Sequence, residues 1–183
     1  MSAFLKILRG SFFWTRVFPS GFVNAVASLG FGGKVKAPGT WGSAAGLLFY
    51  TVFFQNSTVL FCAVLGAVSI YLACAFCDES EKRLGAHDPG RIILDEFVAM
   101  PLVFLGVQAW VGRGILPVWG ILLLGFALFR LFDVFKPFGI RGIQKLPGGV
   151  GVVMDDVAAA LWACVTLHMA LFAVSYFSNA PAA

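Results

Sequence analysis

The distribution of charge constrains this chain more than any other feature of its sequence. Residues 37–77, 97–112, 114–129 and 157–183 contain no Asp, Glu, Lys or Arg. Of the 183 residues, 60% are hydrophobic and 12% are charged, whereas soluble proteins carry about 25% charged residues. A helix needs about 20 mostly apolar residues to cross a bilayer. The sequence therefore predicts an all-α integral membrane protein.

The charge-free runs predict about five transmembrane helices. The first run is too long for one span, and its polar cluster Gln55-Asn56-Ser57-Thr58 predicts a tight turn between two helices. We expect a single membrane domain over residues 1–183, in which residues 37–177 form the helical transmembrane part. The five expected spans lie near 40–55, 58–77, 93–111, 115–134 and 153–176.

The N-terminal residues 1–36 are expected to lie at the membrane surface. Aromatic and aliphatic side chains alternate there with Lys6, Arg9 and Arg16. Basic residues and aromatic rings together anchor a segment at the interface. Because Arg16 interrupts the apolar stretch, a cleaved secretory signal is a poor fit, and we expect this segment to be retained.

Basic residues outside the spans predict the orientation of the chain. Most of them precede the first span or lie in the second and fourth loops, whereas Arg113 lies on the opposite side. By the positive-inside rule, the N-terminus and those two loops are cytoplasmic. This orientation places all nine carboxylates in cytoplasmic loops or near cytoplasmic ends of spans: Asp78, Glu79, Glu81, Asp88, Asp95, Glu96, Asp133, Asp155 and Asp156.

Five of these carboxylates come from the ends of three different spans. An ionised carboxylate in hydrocarbon costs roughly 2.5–3.5 kcal/mol, so its presence there is a functional indication. Converging helix ends would gather these side chains around one polar cavity, where their repulsion requires a cation. Carboxylates are hard oxygen ligands of the kind that Mg²⁺ prefers. We expect a magnesium site built from Asp95, Glu96, Asp133, Asp155 and Asp156, with Asp88 as a further candidate ligand.

The two adjacent pairs of carboxylates are expected to divide their roles. Neighbouring residues on a helix point about 100° apart, so both members of a pair do not aim at one centre. One residue of Asp95–Glu96 and one of Asp155–Asp156 would then bind the metal directly. The other would hold a water, a second metal or a basic partner. The sequence leaves open which carboxylates act as ligands and which as base or nucleophile.

Basic and glycine-rich stretches on the same side predict a site for phosphate. Arg130 and Asp133 share a helix face, and Lys136 follows one turn later. A guanidinium and an ammonium suit phosphate oxygens. In the stretch KAPGTWGSAAG, residues 36–46, Thr40 is a good N-cap, and the free N–H groups of the helix would suit an anion. The candidate substrate-binding residues are Thr40, Ser43, Arg130 and Lys136.

A second glycine-rich stretch, LPGGVGVVMDD at residues 146–156, precedes the last span. Glycine lets the backbone approach a ligand closely, although it also permits tight turns and close packing of helices.

Four stretches occur together in this order: APGTWGSAAG, HDPGRIILDEFVAM, FRLFDVFKPFGIR and PGGVGVVMDD. In these stretches the sequence resembles the phosphatidylglycerophosphatase A family of bacterial inner-membrane lipid phosphatases. The resemblance implies Mg²⁺-dependent removal of the terminal phosphate from phosphatidylglycerophosphate, which gives phosphatidylglycerol. It also implies a protein of the bacterial inner membrane. The apolar runs and the positive-inside rule predict a multi-pass protein whose active site faces the cytoplasm. The expected partners are a membrane phospholipid and the bilayer, with no nucleic acid, and the oligomeric state is left open.

Two other functions fit part of the pattern. A cation- or proton-coupled transporter would also carry carboxylates inside the membrane, but near the midplane and beside broken helices. A phosphatase acting on phosphatidic acid would need the same metal and the same basic residues. The gathering of the acidic residues at one end favours phosphatase chemistry, and the family resemblance favours the glycerol-extended headgroup.

Overall fold

A computed structural model describes residues 12–31, 36–86, 89–137 and 139–178 of the chain. Within these ranges the chain forms α-helices and 3-10 helices and no strand, which confirms the predicted all-α fold there. The 3-10 helices are Phe13–Val17 and Met100–Phe104. The α-helices, in chain order, are α1 Ser20–Ala27, α2 Pro38–Phe53, α3 Val59–Leu84, α4 Leu94–Ala99, α5 Gln108–Val111, α6 Val118–Phe135, α7 Ile140–Ile143 and α8 Gly149–Ser178.

Three of these helices are long and apolar enough to cross a membrane, namely α3, α6 and α8. The 26 residues of α3 extend about 39 Å, which exceeds a hydrocarbon core of about 30 Å. Large apolar side chains are exposed on all three helices, including Val64, Leu123 and Phe172. Such a surface is typical of a membrane protein. The expected spans at 58–77, 115–134 and 153–176 are therefore confirmed as long apolar helices.

The predicted turn at Gln55–Thr58 is present between α2 and α3. Thr58 is the N-cap of α3, and its side-chain oxygen accepts the N–H of Phe61 at 3.3 Å. The helix α2 before this turn has 16 residues. The C-terminal end of α3 is marked by Gly85, whose φ of 66° is the left-handed conformation that ends many helices.

The expected span at 93–111 is not one continuous helix. The six residues of α4 pass into the 3-10 helix Met100–Phe104, a turn follows, and α5 has only four residues. Pro101 lacks the N–H that an α-helix would use, and Gly106 has a φ of 78°. All five residues of this 3-10 helix are buried. The segment therefore lies inside the helical bundle, packed against α2, α3, α6 and α8.

The last helix, α8, is the centre of the bundle. It packs against α3, α4 and α6, and small residues such as Ala159, Ala160 and Ala163 are fully buried along it. At its N-terminus, a Cβ on Gly149 would lie 2.1 Å from the carbonyl oxygen of Cys74 in α3. Glycine at this position therefore lets α8 touch the backbone of α3, which fixes where the first two turns of α8 lie.

The N-terminal part that the structure describes packs against the end of α3 that lies near α4. The rings of Trp14, Phe18 and Phe22 contact Phe76 of α3. Arg83 donates a hydrogen bond to the carbonyl oxygen of Phe18 at 2.9 Å. The side chains of Phe13 and Val17 remain exposed. Lys6 and Arg9, which the sequence predicts to anchor this segment, lie outside the described residues.

Candidate functional site

Five carboxylates converge at one end of the helical bundle. Asp95 and Glu96 lie in the first turn of α4, Asp133 lies in the last turn of α6, and Asp155 and Asp156 lie about two turns into α8. All five line one cavity of about 120 Å³, together with Pro38, Gly39, Gly90, Ile92, Lys136 and Val152. Asp88, the sixth predicted ligand, lies outside the described residues.

Three of the five carboxylates have the geometry of a metal site. Asp95, Glu96 and Asp156 each offer an oxygen atom, and these atoms lie within 4.8 Å of one another. The Oε2 atom of Glu96 is buried and has no hydrogen-bond partner among the described residues. An all-oxygen set with a buried, unsatisfied carboxylate oxygen fits a hard divalent cation such as Mg²⁺.

The electrostatics of the first turn of α4 also favour a cation. Asp95 and Asp156 are buried, and oxygen atoms of Asp95, Glu96 and Asp156 lie within 4.8 Å of one another. Burial and mutual repulsion destabilise the anionic forms of these carboxylates. A bound divalent cation would offset the burial and the repulsion together.

The sequence predicts that one member of each adjacent pair binds the metal directly, whereas both Asp95 and Glu96 contribute an oxygen to the group of three. Asp95 Oδ1 also accepts a hydrogen bond from the backbone N–H of Glu96 at 3.0 Å. For the other pair the expectation agrees with the geometry, because Asp156 belongs to the group of three whereas Asp155 accepts a hydrogen bond from Lys136.

Arg130 connects two helices, α6 and α2, beside the cavity. Its Nη1 donates to Asp133 Oδ2 at 2.7 Å and to the hydroxyl of Ser43 in α2 at 3.3 Å. A Cβ on Gly39 would also lie 3.3 Å from this nitrogen. Ser43 is fully buried and donates its own hydroxyl hydrogen to the carbonyl oxygen of Gly39. The guanidinium is therefore held at the junction of α2 and α6.

Lys136 brings a second cation into the cavity. It caps the C-terminus of α6 with φ 44° and ψ 56°, a left-handed conformation that costs a residue with a side chain about 1–2 kcal/mol. Its Nζ donates to Asp155 and lies 3.8 Å from Asp133 Oδ1. Burial lowers the pKa of Lys136, but the hydrogen bond and the charge of Asp155 outweigh it and raise the pKa. Lys136 is therefore a charged ammonium.

The glycines of α2 allow close contact with neighbouring elements. A Cβ on Gly42 would lie 2.7 Å from the carbonyl oxygen of Ile93, and a Cβ on Gly46 would lie 2.6 Å from that of Phe97. These close contacts seat the start of α4 against α2. Gly39 plays a more specific part, because its missing Cβ leaves room for Glu96.

Thr40 is not the N-cap that the sequence predicts. The helix begins at Pro38, and its N-cap is Ala37, which has a φ of 53°. Thr40 therefore lies inside the first turn, where it is exposed and is not among the residues that line the cavity. Of the four predicted substrate-binding residues, Lys136 lines the cavity, Arg130 contacts the carboxylates, and Ser43 contacts Arg130.

The second glycine-rich stretch forms a turn and a helix contact. Gly148 has a φ of 70°, Gly149 packs on α3, and a Cβ on Gly151 would lie 2.0 Å from the carbonyl oxygen of Leu146. None of these three glycines is among the residues that line the carboxylate cavity. Their role in the site is indirect, since they set the position from which α8 carries Asp155 and Asp156.

Comparison with known proteins assigns the chain to a family. A family model described as phosphatidylglycerophosphatase A matches residues 24–171. The chain belongs to the phosphatidylglycerophosphatase A family. The residues matched to phosphatidylglycerophosphatase A include all five carboxylates of the cavity and both cations. No solved structure matches the chain.

Individual relatives of the phosphatidylglycerophosphatase A family cover most of the chain. A phosphatidylglycerophosphatase A of Haemophilus influenzae is 35% identical over 153 residues, which are 82% of this chain and 87% of that protein. One of Escherichia coli is 31% identical over 139 residues, which are 73% and 75% of the two chains. A Bacteroides thetaiotaomicron protein with the provisional name phosphatidylinositol-3-phosphatase is 29% identical over 161 residues, which are 84% and 96%.

The contact between Gly39 and Glu96 predicts a variant that is folded but impaired. A Cβ at position 39 would lie 2.2 Å from Glu96 Oε1, the end of a flexible side chain that can move aside. Gly39→Ala should therefore keep the Tm of the purified protein close to wild type while displacing Glu96 from Asp95 and Asp156. We expect phosphatase activity at limiting Mg²⁺ to fall by about tenfold or more.

The matched control is Gly142→Ala, because a Cβ on Gly142 meets nothing within 4 Å. Its activity should equal that of wild type. Equal activity for Gly39→Ala would contradict the position assigned to Glu96.

Proposed function

We propose that this chain is a Mg²⁺-dependent lipid phosphatase that converts phosphatidylglycerophosphate to phosphatidylglycerol. Membership of the phosphatidylglycerophosphatase A family identifies it as a phosphatase enzyme. The observation that carries the magnesium assignment is the group formed by Asp95, Glu96 and Asp156, whose oxygens lie within 4.8 Å of one another. The charge balance agrees, because five carboxylates face two basic side chains around the cavity.

Each group beside the cavity then has a chemical part in hydrolysis. Asp95, Glu96 and Asp156 would hold the metal, which when bound polarises phosphoryl oxygens and lowers the pKa of water. Arg130 and Lys136 would bind the remaining phosphate oxygens and stabilise the charge that develops on them. Water would add its oxygen to phosphorus while the bond to the glycerol oxygen breaks. A carboxylate in excess over the cations would accept a proton from this water, and the departing glycerol oxygen would take up a proton and leave as a hydroxyl group.

The membrane supplies the substrate in this proposal. The cavity lies at the ends of long apolar helices, and helices that span the bilayer would bring it to the depth of the lipid headgroups. Trp41 at the start of α2 and Phe135 at the end of α6 are exposed aromatic side chains close to lining residues of the cavity. A diacyl lipid could therefore place its phosphate in the cavity while its chains stay against the apolar surface.

We further propose that the cavity faces the cytoplasm across the bacterial inner membrane. Lys82, Arg83, Arg91 and Lys145 lie in or next to the loops at the cavity end, whereas Arg113 lies in the turn before α6 begins. This asymmetry follows the positive-inside rule. The helix α2 and the broken segment at 94–111 would complete five membrane-embedded segments. Burial of that segment within protein satisfies the rule that irregular backbone is not exposed to lipid.

A transporter is less well supported by the same geometry. The carboxylates gather at one end of the bundle, and the broken segment near its middle presents apolar residues, Met100 to Phe104, rather than charged ones. Transporters of the type considered above place their ion sites near the midplane. The relatives differ in the lipid phosphate that their names give. The Bacteroides relative has the provisional name of a phosphatase for an inositol lipid, so the headgroup needs a direct test.

Phosphate release by purified protein tests the proposed function. Wild type should hydrolyse phosphatidylglycerophosphate only with Mg²⁺, and its kcat/KM should be lower for phosphatidic acid and for phosphatidylinositol 3-phosphate. Asp95→Asn, Glu96→Gln and Asp156→Asn should each lower activity by about 100-fold or more at limiting Mg²⁺, since each removes a direct metal ligand.

Folding of these variants is checked by size-exclusion chromatography in detergent. Full activity after chelation of divalent cations would refute the metal site. A higher kcat/KM for either comparison lipid would reassign the headgroup and leave the metal site intact.

Labelling of single cysteines tests the orientation. Asn56, in the turn between α2 and α3, and Lys145, before α8, are both exposed. In a variant with the four native cysteines replaced, Asn56→Cys should react with a membrane-impermeant maleimide added outside spheroplasts. Lys145→Cys should react only after the membrane is opened. Labelling of Lys145→Cys from outside would contradict the cytoplasmic position of the cavity.

A further inference from the structure

Asp155 and Asp156 are sequence neighbours that face different partners. Asp156 belongs to the group of three with Asp95 and Glu96. Asp155 is almost fully buried, and its Oδ2 accepts a hydrogen bond from Nζ of Lys136, 19 residues earlier in the chain. Because neighbours on a helix diverge by about 100°, α8 can offer one carboxylate to the metal and the other to a cation across the cavity.

The backbone at Lys136 is arranged for this contact. Lys136 is one of three residues other than glycine with a positive φ in the described part of the chain. Glycine or asparagine is the usual residue at a left-handed helix C-terminus. A lysine here turns the chain before Pro137 and also directs its ammonium back over the end of α6, where it lies near Asp133 and contacts Asp155.

The pair of Lys136 and Asp155 also lines the cavity, so its ammonium is within reach of a ligand. The Lys136 side chain is 17% exposed, whereas that of Asp155 is 2% exposed. The carboxylate, as the more buried partner, thus holds the ammonium from the buried side. A lysine ammonium has three donors, and one hydrogen bond to Asp155 leaves two for phosphate oxygens.

We propose that Asp155 is a positioning residue for Lys136 and not a ligand of the metal. In this assignment, which rests on the proposed function, Lys136 contacts a non-bridging oxygen of the substrate phosphate, and Asp155 fixes the ammonium opposite Asp95, Glu96 and Asp156. The phosphate is then held between a metal on one wall of the cavity and a lysine on the other. Lys136 and Asp155 would therefore recognise a dianionic phosphate monoester. They would not distinguish the alcohol to which the phosphate is bound.

A double-mutant cycle with two readouts tests this assignment. The variants are Asp155→Asn, Lys136→Met and the two combined, with Asp156→Asn as the comparison for metal binding. The first readout is the Kd of Mn²⁺ in the absence of lipid, measured by electron paramagnetic resonance. The second readout is the KM and kcat for phosphatidylglycerophosphate at saturating Mg²⁺. Lys145→Met, an exposed lysine away from the cavity, is the matched control for Lys136→Met and should behave as wild type.

Asp155→Asn should keep the Mn²⁺ affinity of wild type, whereas Asp156→Asn should weaken it by about tenfold or more. Asp155→Asn and Lys136→Met should each raise KM by about tenfold, the effect of losing a hydrogen bond to a charged group. The combined variant should be no worse than Lys136→Met alone, because the two residues act as one unit.

Three results would overturn the assignment. The first is a loss of Mn²⁺ affinity in Asp155→Asn equal to that in Asp156→Asn. The second is an unchanged KM in Asp155→Asn. The third is an increase in KM in the combined variant that equals the product of the two single increases. If Asp155→Asn does not fold because it leaves Lys136 without its buried partner, the combined variant removes both charges, and its Mn²⁺ affinity decides the question. Absence of phosphate release by wild type would refute the proposed function, whereas the Mn²⁺ measurements test the role of Asp155 independently.

Discussion

The structure depends on the convergence of five carboxylates, four of them on buried residues, at one end of an apolar helical bundle. A carboxylate removed from water is stable only when a cation or several hydrogen bonds replace its hydration. Asp133 and Asp155 receive such partners from Arg130 and Lys136. Asp95, Glu96 and Asp156 instead lie close to one another, with oxygen atoms within 4.8 Å. In the function we propose, a divalent cation bound by these three residues is that partner.

The fold brings the carboxylates together through close contacts between backbones. Gly42 and Gly46 seat the start of α4 against α2, and Gly149 seats the start of α8 against α3. The short length of α4 matters as well. The sequence predicts one long helix over residues 93–111. The segment instead forms a six-residue helix followed by a buried 3-10 helix, and it lies inside the protein. Its first turn carries two of the three candidate ligands.

The sequence predicted the gathering of the carboxylates because charge is rare in this chain and is confined to the ends of apolar runs. It did not predict the break after Ala99, since residues 97–112 are uniformly apolar and a buried segment has the same composition as a membrane-spanning one. The prediction of Thr40 as an N-cap was wrong, because the helix starts two residues earlier, at Pro38. Contacts such as that of Gly39 with Glu96, 57 residues apart, depend on tertiary packing and leave no local pattern.

The central claim is that Asp95, Glu96 and Asp156 bind one divalent cation, and anomalous diffraction from crystals soaked in Mn²⁺ tests it most directly. The account predicts one strong anomalous peak within about 2.0–2.6 Å of an oxygen atom of each of the three carboxylates, the range of metal–oxygen distances for hard cations. A peak bound by Asp155 and Asp133 instead, or no peak in the cavity at a Mn²⁺ concentration that supports full activity, would contradict the account.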